Sequence, residues 1–189
     1  MKLVILDRDG VINEDSPNHV RSAAEWQPIP GSIEAIARLC QGGYRVFIAT
    51  NQSGLGQKLF DYDAFSAIND RLQGLLAEAG GRIDGIFFAP DHPQQPGPQR
   101  KPAPGMSLEL AKRLGVSLDG VPSVGDSWRD LEAARAAGAR PILVRTGNGR
   151  ETERRYAEAL GDTAIYDTLA DFTVALLSGN LPPQRPQTA

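Results

Sequence analysis

The chain has 189 residues, 23 of them acidic and 20 basic, with a formal charge of −3; that is enough for one sizeable core and argues against a general nucleic-acid binder, which is usually basic. The single cysteine, Cys40, excludes an intrachain disulfide and fits a reducing compartment. No stretch is long and apolar enough to span a membrane, and no secretory signal precedes the first apolar run, so a cytoplasmic protein with no membrane or nucleic-acid partner is expected.

Apolar runs alternate with helical patterns along the chain. This predicts an α/β fold: a Rossmann-like three-layer sandwich with a mostly parallel central sheet. Leu3 to Leu6 reads as the first strand, followed by a polar loop from Asp7 to Pro30. Ile33, Ile36, Ala37 and Leu39 recur at helical spacing until Gly42-Gly43 stops the helix. Cys40 falls within that apolar pattern, which predicts packing rather than reactivity. Tyr44 to Thr50 is the second strand, and Gly54 and Gly56 loosen the turn after it. A helix from about Asp63 to Glu78 turns Phe65, Ile68, Leu72, Leu75 and Leu76 inward, and Gly85 to Ala89 is the third strand.

The segment from Pro90 to Pro104 is rich in proline and glutamine, so it is a loop. Ser107 to Leu114 continues as a helix and Val121 to Val124 as a strand. Ser127 with Asp130 has the pattern of a capping box. Pro141 to Val144 is a fifth strand, Ile165-Tyr166 a candidate sixth, and Thr168 with Asp171 a further helix start. Residues 1–178 form one domain and residues 179–189, polar and proline-rich, read as a disordered tail. Neither the interval from Gly10 to Thr50 nor that from Asn51 to Lys101 leaves room for a separate cap domain. A monomer is expected.

Chemistry-bearing residues gather at the ends of the apolar runs. Asp7 and Asp9 leave the first strand as a carboxylate pair, which calls for a cation, a transferred proton, or both. Thr50-Asn51 ends the second strand, Gly125-Asp126 the fourth, and Lys101 lies in the loop before a helix. Parallel strands place their carboxyl ends on one edge, so these groups can converge. Taken singly, each has a simpler explanation: a polar turn, a strand end, a solvated lysine. Arg8 alternates away from its neighbours and reads as structural.

Taken together and in order, the motifs resemble those of the haloacid dehalogenase superfamily of phosphohydrolases. The strings Asp7-Arg8-Asp9-Gly10-Val11-Ile12-Asn13, Thr50-Asn51-Gln52-Ser53-Gly54, Arg100-Lys101-Pro102 with Pro104-Gly105-Met106, and Val144-Arg145-Thr146-Gly147 are similar to those of the D-glycero-D-manno-heptose 1,7-bisphosphate 7-phosphatases. Histidinol-phosphate phosphatases share much of the set. The resemblance implies a magnesium-dependent phosphomonoester hydrolase. Asp7 would be the nucleophile that forms an aspartyl-phosphate, and Asp9 the acid that protonates the leaving alkoxide and then the base that activates water. Magnesium would be held by Asp7, the backbone carbonyl of Asp9 and Asp126, with Asp130 holding a metal-bound water or orienting Lys101. Lys101 would offset the charge of the phosphate, with Asp9 protonated, while Thr50 and donors around Asn51 bind phosphate oxygens.

Substrate contacts are expected from Asp15, Ser16, Pro17 and Asn18, from Asn51, Gln52 and Ser53, and from Arg100, whose guanidinium suits a second phosphate. His19, Trp26 and Trp128 read as rim or packing residues. The implied substrate is a small sugar phosphate, a heptose 1,7-bisphosphate first, on the way to nucleotide-activated heptose for lipopolysaccharide. Histidinol phosphate is the alternative, and a non-enzymatic phosphosugar-binding protein a more distant one. Many relatives carry a structural zinc before the lysine, held by three cysteines and a histidine. Ala89, Asp91, Gly97 and Gln99 stand at those positions, so no structural zinc is expected.

Overall fold

The computed structural model of the chain describes residues 1–183. The expected tail at 179–189 therefore lies partly outside the described residues. Six strands, β1 (Leu3–Leu6), β2 (Arg45–Asn51), β3 (Gly85–Ala89), β4 (Pro122–Gly125), β5 (Arg140–Val144) and β6 (Ala164–Tyr166), form one sheet in the order β3-β2-β1-β4-β5-β6. Every pairing is parallel. The helices are α1 (Ser32–Gln41), α2 (Ser53–Gly56), α3 (Tyr62–Glu78), α4 (Gly105–Leu114), α5 (Trp128–Ala136), α6 (Gly149–Arg155), α7 (Ala157–Leu160) and α8 (Leu169–Leu177).

The period of two along a strand decides which layer each residue joins. Val4 and Leu6 of β1, with Val46 and Ile48 of β2, pack on α1, α3 and α8 through Ile36, Leu72 and Phe172. Leu3 and Ile5, with Phe47 and Ala49, pack on the opposite face against Met106 and Leu110 of α4 and Ala134 of α5. A strand buried on both faces has no polar alternation, which is why Leu3–Leu6 reads as an unbroken apolar run. Cys40 packs at the margin of the first cluster and its Sγ donates to Arg82 O (3.4 Å).

Several boundaries move for identifiable reasons. Tyr44 is not the first residue of β2, because its amide donates to Leu39 O and closes α1. α3 begins earlier than expected, since the Asp61 carboxylate accepts from the Ala64 amide (2.8 Å). The expected capping box of Ser127 and Asp130 forms at α5, and Thr168 caps α8. Three helices were not expected. α2 occupies the glycine-containing turn, and α6 and α7 bury so few apolar groups that no helical period shows in their sequence.

Strand order reverses at β1: β2 and β3 lie to one side, β4, β5 and β6 to the other. The crevice outside the carboxyl ends of β1 and β4 is the place where open α/β sheets bind ligands.

Candidate active site

Asp7 and Asp126 leave these two neighbouring strands side by side. The Asp7 amide donates to Val124 O (2.8 Å), which ties the strand ends together at the carboxylates. Asp7, Asp126 and Asp130 each offer an oxygen within 4.8 Å of the others, and all three are buried. The Lys101 ammonium reaches in among them, 3.0 Å from Asp7 Oδ1 and 2.6 Å from Asp130 Oδ1. It also donates to Ala49 O (2.8 Å). Asp130 therefore orients Lys101, while its Oδ2 accepts from the Ser127 amide (2.9 Å) as part of the helix cap.

Burial raises the Asp7 carboxyl to about 6 against the pull of Lys101, with Asp130 and Asp9 pushing the same way. Burial also lifts Asp126 well above the carboxylate range, and Asp130 and Asp7 add to it while Asn148 opposes. For Asp130, burial is outweighed by Lys101 and by the Ser127 bonds, and its carboxyl is lowered. Two buried acids whose proton affinities are raised by burial and by neighbouring carboxylates are short of positive charge. An all-oxygen donor set of this kind fits a hard divalent ion such as magnesium. The remaining valences agree with that. Asp126 Oδ2 accepts from the Asn148 amide (2.7 Å) and side chain (3.1 Å), and Asp7 Oδ1 accepts from the Arg8 amide (2.8 Å), so each carboxylate keeps a second oxygen with no hydrogen bond among the described residues. Backbone packs closely here: a Cβ on Gly10 (φ 80°) or on Gly147 (φ 54°) would collide with the Asp126 carboxylate.

Asp9 is expected to be protonated once phosphate is bound; the fold itself surrounds its carboxylate with donors. Its carboxylate accepts from Arg8 Nη2 (3.1 and 3.2 Å), Asn13 Nδ2 (2.9 Å) and Gln52 Nε2 (2.8 Å). Burial would raise the Asp9 carboxyl, but the Arg8 charge and these donors outweigh it and hold it below its ordinary value. This arrangement favours the ionised form of Asp9. Arg8, read from the sequence as structural, is fully buried and is the main stabiliser of that charge.

Above this floor lies a recess of about 170 Å³ lined by Asp7, Asp9, Asp15, Ser16, His19, Thr50, Asn51, Ser53, Arg100 and Arg129. Most of the expected contact residues are therefore present. Four are placed differently. Pro17 and Asn18 belong to the same loop as Asp15 but are not part of the lining. Gln52 is buried, bridging Asp9 and the Thr50 hydroxyl (2.9 Å), because positions 50 and 52 share one side of the extended chain. The Asn51 side chain is committed to the loop before α4: it donates to Lys101 O and accepts from Lys101 N, both at 3.0 Å. Asn51 thus sets the lysine in position.

Sequence reading missed Arg129 and Asn148. Arg129 carries its charge at the wall of the recess. Asn148 reaches from Asp126 to Asp15 Oδ2 (3.1 Å), joining floor and rim. The Val144-Arg145-Thr146-Gly147 string was a signal for Asn148, since Thr146 Oγ1 donates to Gly10 O (2.6 Å) and delivers the next residues to the site. At the positions where relatives hold zinc, Asp91 packs against Gly97, and Arg100 Nη1 donates to Asp91 O (3.2 Å). The His92 ring accepts from the Gln94 amide (3.2 Å).

Two family models match the chain: HAD-hydrolase-like over residues 99–172 and polynucleotide kinase 3 phosphatase over residues 2–131. A D-glycero-beta-D-manno-heptose-1,7-bisphosphate 7-phosphatase of Bordetella bronchiseptica is 54% identical over 152 residues, covering 80% of this chain and 85% of that protein. One of Neisseria meningitidis is 43% identical over 185 residues, covering 97% and 99%. The crystal structure of the D,D-heptose 1,7-bisphosphate phosphatase from B. bronchiseptica, complexed with magnesium and phosphate, superposes with a TM-score of 0.89 at 49% identity, covering 95% of this chain and 99% of that one.

Proposed function

The chain belongs to the heptose 1,7-bisphosphate 7-phosphatase family of HAD-like hydrolases, and from that membership we propose that it removes the 7-phosphate of D-glycero-β-D-manno-heptose 1,7-bisphosphate. The observation that carries this reading is the Asp7 carboxylate, fixed by Lys101 beside Asp126, at the bottom of a small polar recess. One oxygen of the Asp7 carboxylate attacks phosphorus and the other is left for the metal, and Lys101 holds charge opposite the phosphate oxygens while Thr50 offers its hydroxyl. The ester oxygen leaves with a proton, and the resulting aspartyl-phosphate is hydrolysed by water deprotonated at Asp9.

The negative charge of the incoming phosphate raises the proton affinity of Asp9 and lets it act as the acid in the first half. Arg8, Asn13 and Gln52 favour its ionised form and so suit the second half. Asp7, Asp126 and the Asp9 carbonyl are the residues to hold magnesium, which when bound supplies Lewis-acid polarisation and charge neutralisation at the phosphate. Asp130 acts through Lys101.

No helix among the described residues is long and apolar enough to cross a membrane. We place the enzyme in the cytoplasm, as a monomer, supplying a heptose monophosphate for nucleotide activation in lipopolysaccharide synthesis. Initial rates on heptose 1,7-bisphosphate and histidinol phosphate, measured side by side with magnesium, test the substrate. Clear preference for the heptose is expected; equal rates on the two would overturn it.

A further inference from the structure

A threonine hydroxyl has one hydrogen and two lone pairs, and its hydrogen turns to suit its surroundings. The oxygens of an ionised phosphate only accept, so a hydroxyl beside them binds only when it donates. Thr50 is buried and lines the recess over Asp7. If its hydrogen were spent on a protein acceptor, it would meet the phosphate with lone pairs instead. What matters at Thr50 is therefore the direction of one hydrogen, and the neighbours of Oγ1 set that direction.

Gln52 follows the last residue of β2, and its side chain lies on the same side of the extended chain as Thr50. Its Oε1 accepts from Arg8 Nη2 (3.0 Å), and its Nε2 donates to Asp9 Oδ2 (2.8 Å) and to Thr50 Oγ1 (2.9 Å). The opposite orientation of the amide is closed. A guanidinium has no acceptor, so Nε2 turned to Arg8 would set donor against donor, and Oε1 turned to Asp9 would set a carbonyl against a carboxylate. Arg8 is itself held: it is 1% exposed, pairs with Asp9 Oδ1 (3.1 Å) and lies over the Phe65 ring at 5.7 Å. Both hydrogens of Nε2 are thus committed, one of them to the Thr50 oxygen. Thr50 Oγ1 has no other hydrogen bond among the described residues, which leaves its hydrogen free to point into the recess.

We propose that Gln52, oriented by Arg8, fixes the Thr50 hydroxyl as a donor to the phosphate under attack. This rests on the proposed reaction, in which Thr50 contacts that phosphate, and adds the side chain that gives the contact its direction. Gln52 is a positioning residue: it lies beneath the recess, is not part of its lining, and acts through Thr50. An arriving phosphate finds the donor already turned toward it, with no reorganisation left to make. The same nitrogen holds Asp9, so the hydroxyl that binds the phosphate and the carboxylate that moves the proton are tied to one atom.

Calorimetric titration of inorganic phosphate, with magnesium present, into four proteins tests this: the unsubstituted enzyme, Thr50→Val, Gln52→Met and the double variant. Thr50→Val should weaken phosphate binding about 10-fold, as expected for one hydrogen bond to an anion. Gln52→Met should weaken it about 5-fold when Thr50 is present and less than about twofold in the Thr50→Val background, because there is then no hydroxyl to direct. A packing role would weaken binding by the same factor in both backgrounds. That result would overturn the assignment alone, as would a Gln52→Met protein that binds phosphate within about twofold of the unsubstituted enzyme. Melting curves show whether Gln52→Met folds. If it does not, Gln52→Glu keeps the shape, and its second oxygen takes the Thr50 hydrogen. A loss of at least about 5-fold is then expected, most of it vanishing in the Thr50→Val background; unchanged binding, or an equal loss in both backgrounds, would refute the role. If Thr50→Val by itself leaves phosphate binding unchanged, Thr50 is no phosphate contact, and the reading beneath the assignment falls with it.

Discussion

At the floor of the site each carboxylate has fixed partners: Asp7 has Lys101 and the Arg8 amide, Asp9 has Arg8, Asn13 and Gln52, and Asp126 has Asn148 twice. At the rim, among the described residues, Arg129 has none and Arg100 a single backbone carbonyl. The floor is built on strand ends buried on both faces, where position and charge are set by the fold. The rim is built on loops and the first turn of α5, where charge is less closely matched. On the proposed function, reaction class lies with the interior and substrate choice with the surface.

The largest break in this contrast should come at the floor. Asp7→Asn keeps the shape of the side chain and removes the nucleophile, so turnover should drop by about 10⁴-fold or more with the fold intact. Steady-state assays with a melting curve check it, and activity above a hundredth of the original would refute covalent attack by Asp7. Next, Lys101→Met removes the cation shared by Asp7 and Asp130. A loss of about 10²- to 10³-fold in kcat is expected, together with about 3 kcal/mol of stability because buried charges lose their partner. Urea denaturation of the two proteins measures the second part.

Magnesium should sharpen the same boundary. Chelation should abolish turnover, and adding magnesium to the stripped protein at about 100 times its dissociation constant should add about 2.7 kcal/mol of stability. Asp126→Asn should remove that thermal shift while an Asp15→Ala protein keeps it. The smallest effect belongs to the rim: Asp15→Ala should raise KM several-fold through its lost loop contact, with Tm unchanged. A drop in kcat as large as that of Lys101→Met would place Asp15 in the floor instead.

The floor was legible in the sequence because its residues sit at fixed offsets from apolar runs. Leu3–Leu6 announces a buried strand, and the residues directly after it must emerge at the sheet edge. Asp126 succeeds Gly125 in the same way. The roles of Asn51 and Gln52 were readable only in part: alternation carried one residue past the end of β2 separates them, one turned to the Lys101 loop and the other beneath Asp9. Arg129 gave no such sign, and Asn148 only the indirect one of the Val144-Arg145-Thr146-Gly147 string before it. One is an ordinary charged residue in the first turn of a helix. The other precedes α6, whose burial of Gly149 and Thr152 leaves no apolar rhythm to read. Which loop folds over which edge is a property of the assembled molecule.

The bond from the Asp7 amide to Val124 O joins residues more than a hundred positions apart. On a ribosome, β1, β2 and β3 are all made before β4 exists, so one edge of β1 stays open while most of the chain is synthesised. A nascent or truncated chain ending before Gly125 lacks both the strand that closes that edge and the Asp126 that completes the acidic cluster. Contacts this distant in sequence are slow to form. Phosphatase activity therefore reports on completed folding: the enzyme cannot switch on until its first strand has found its last central neighbour.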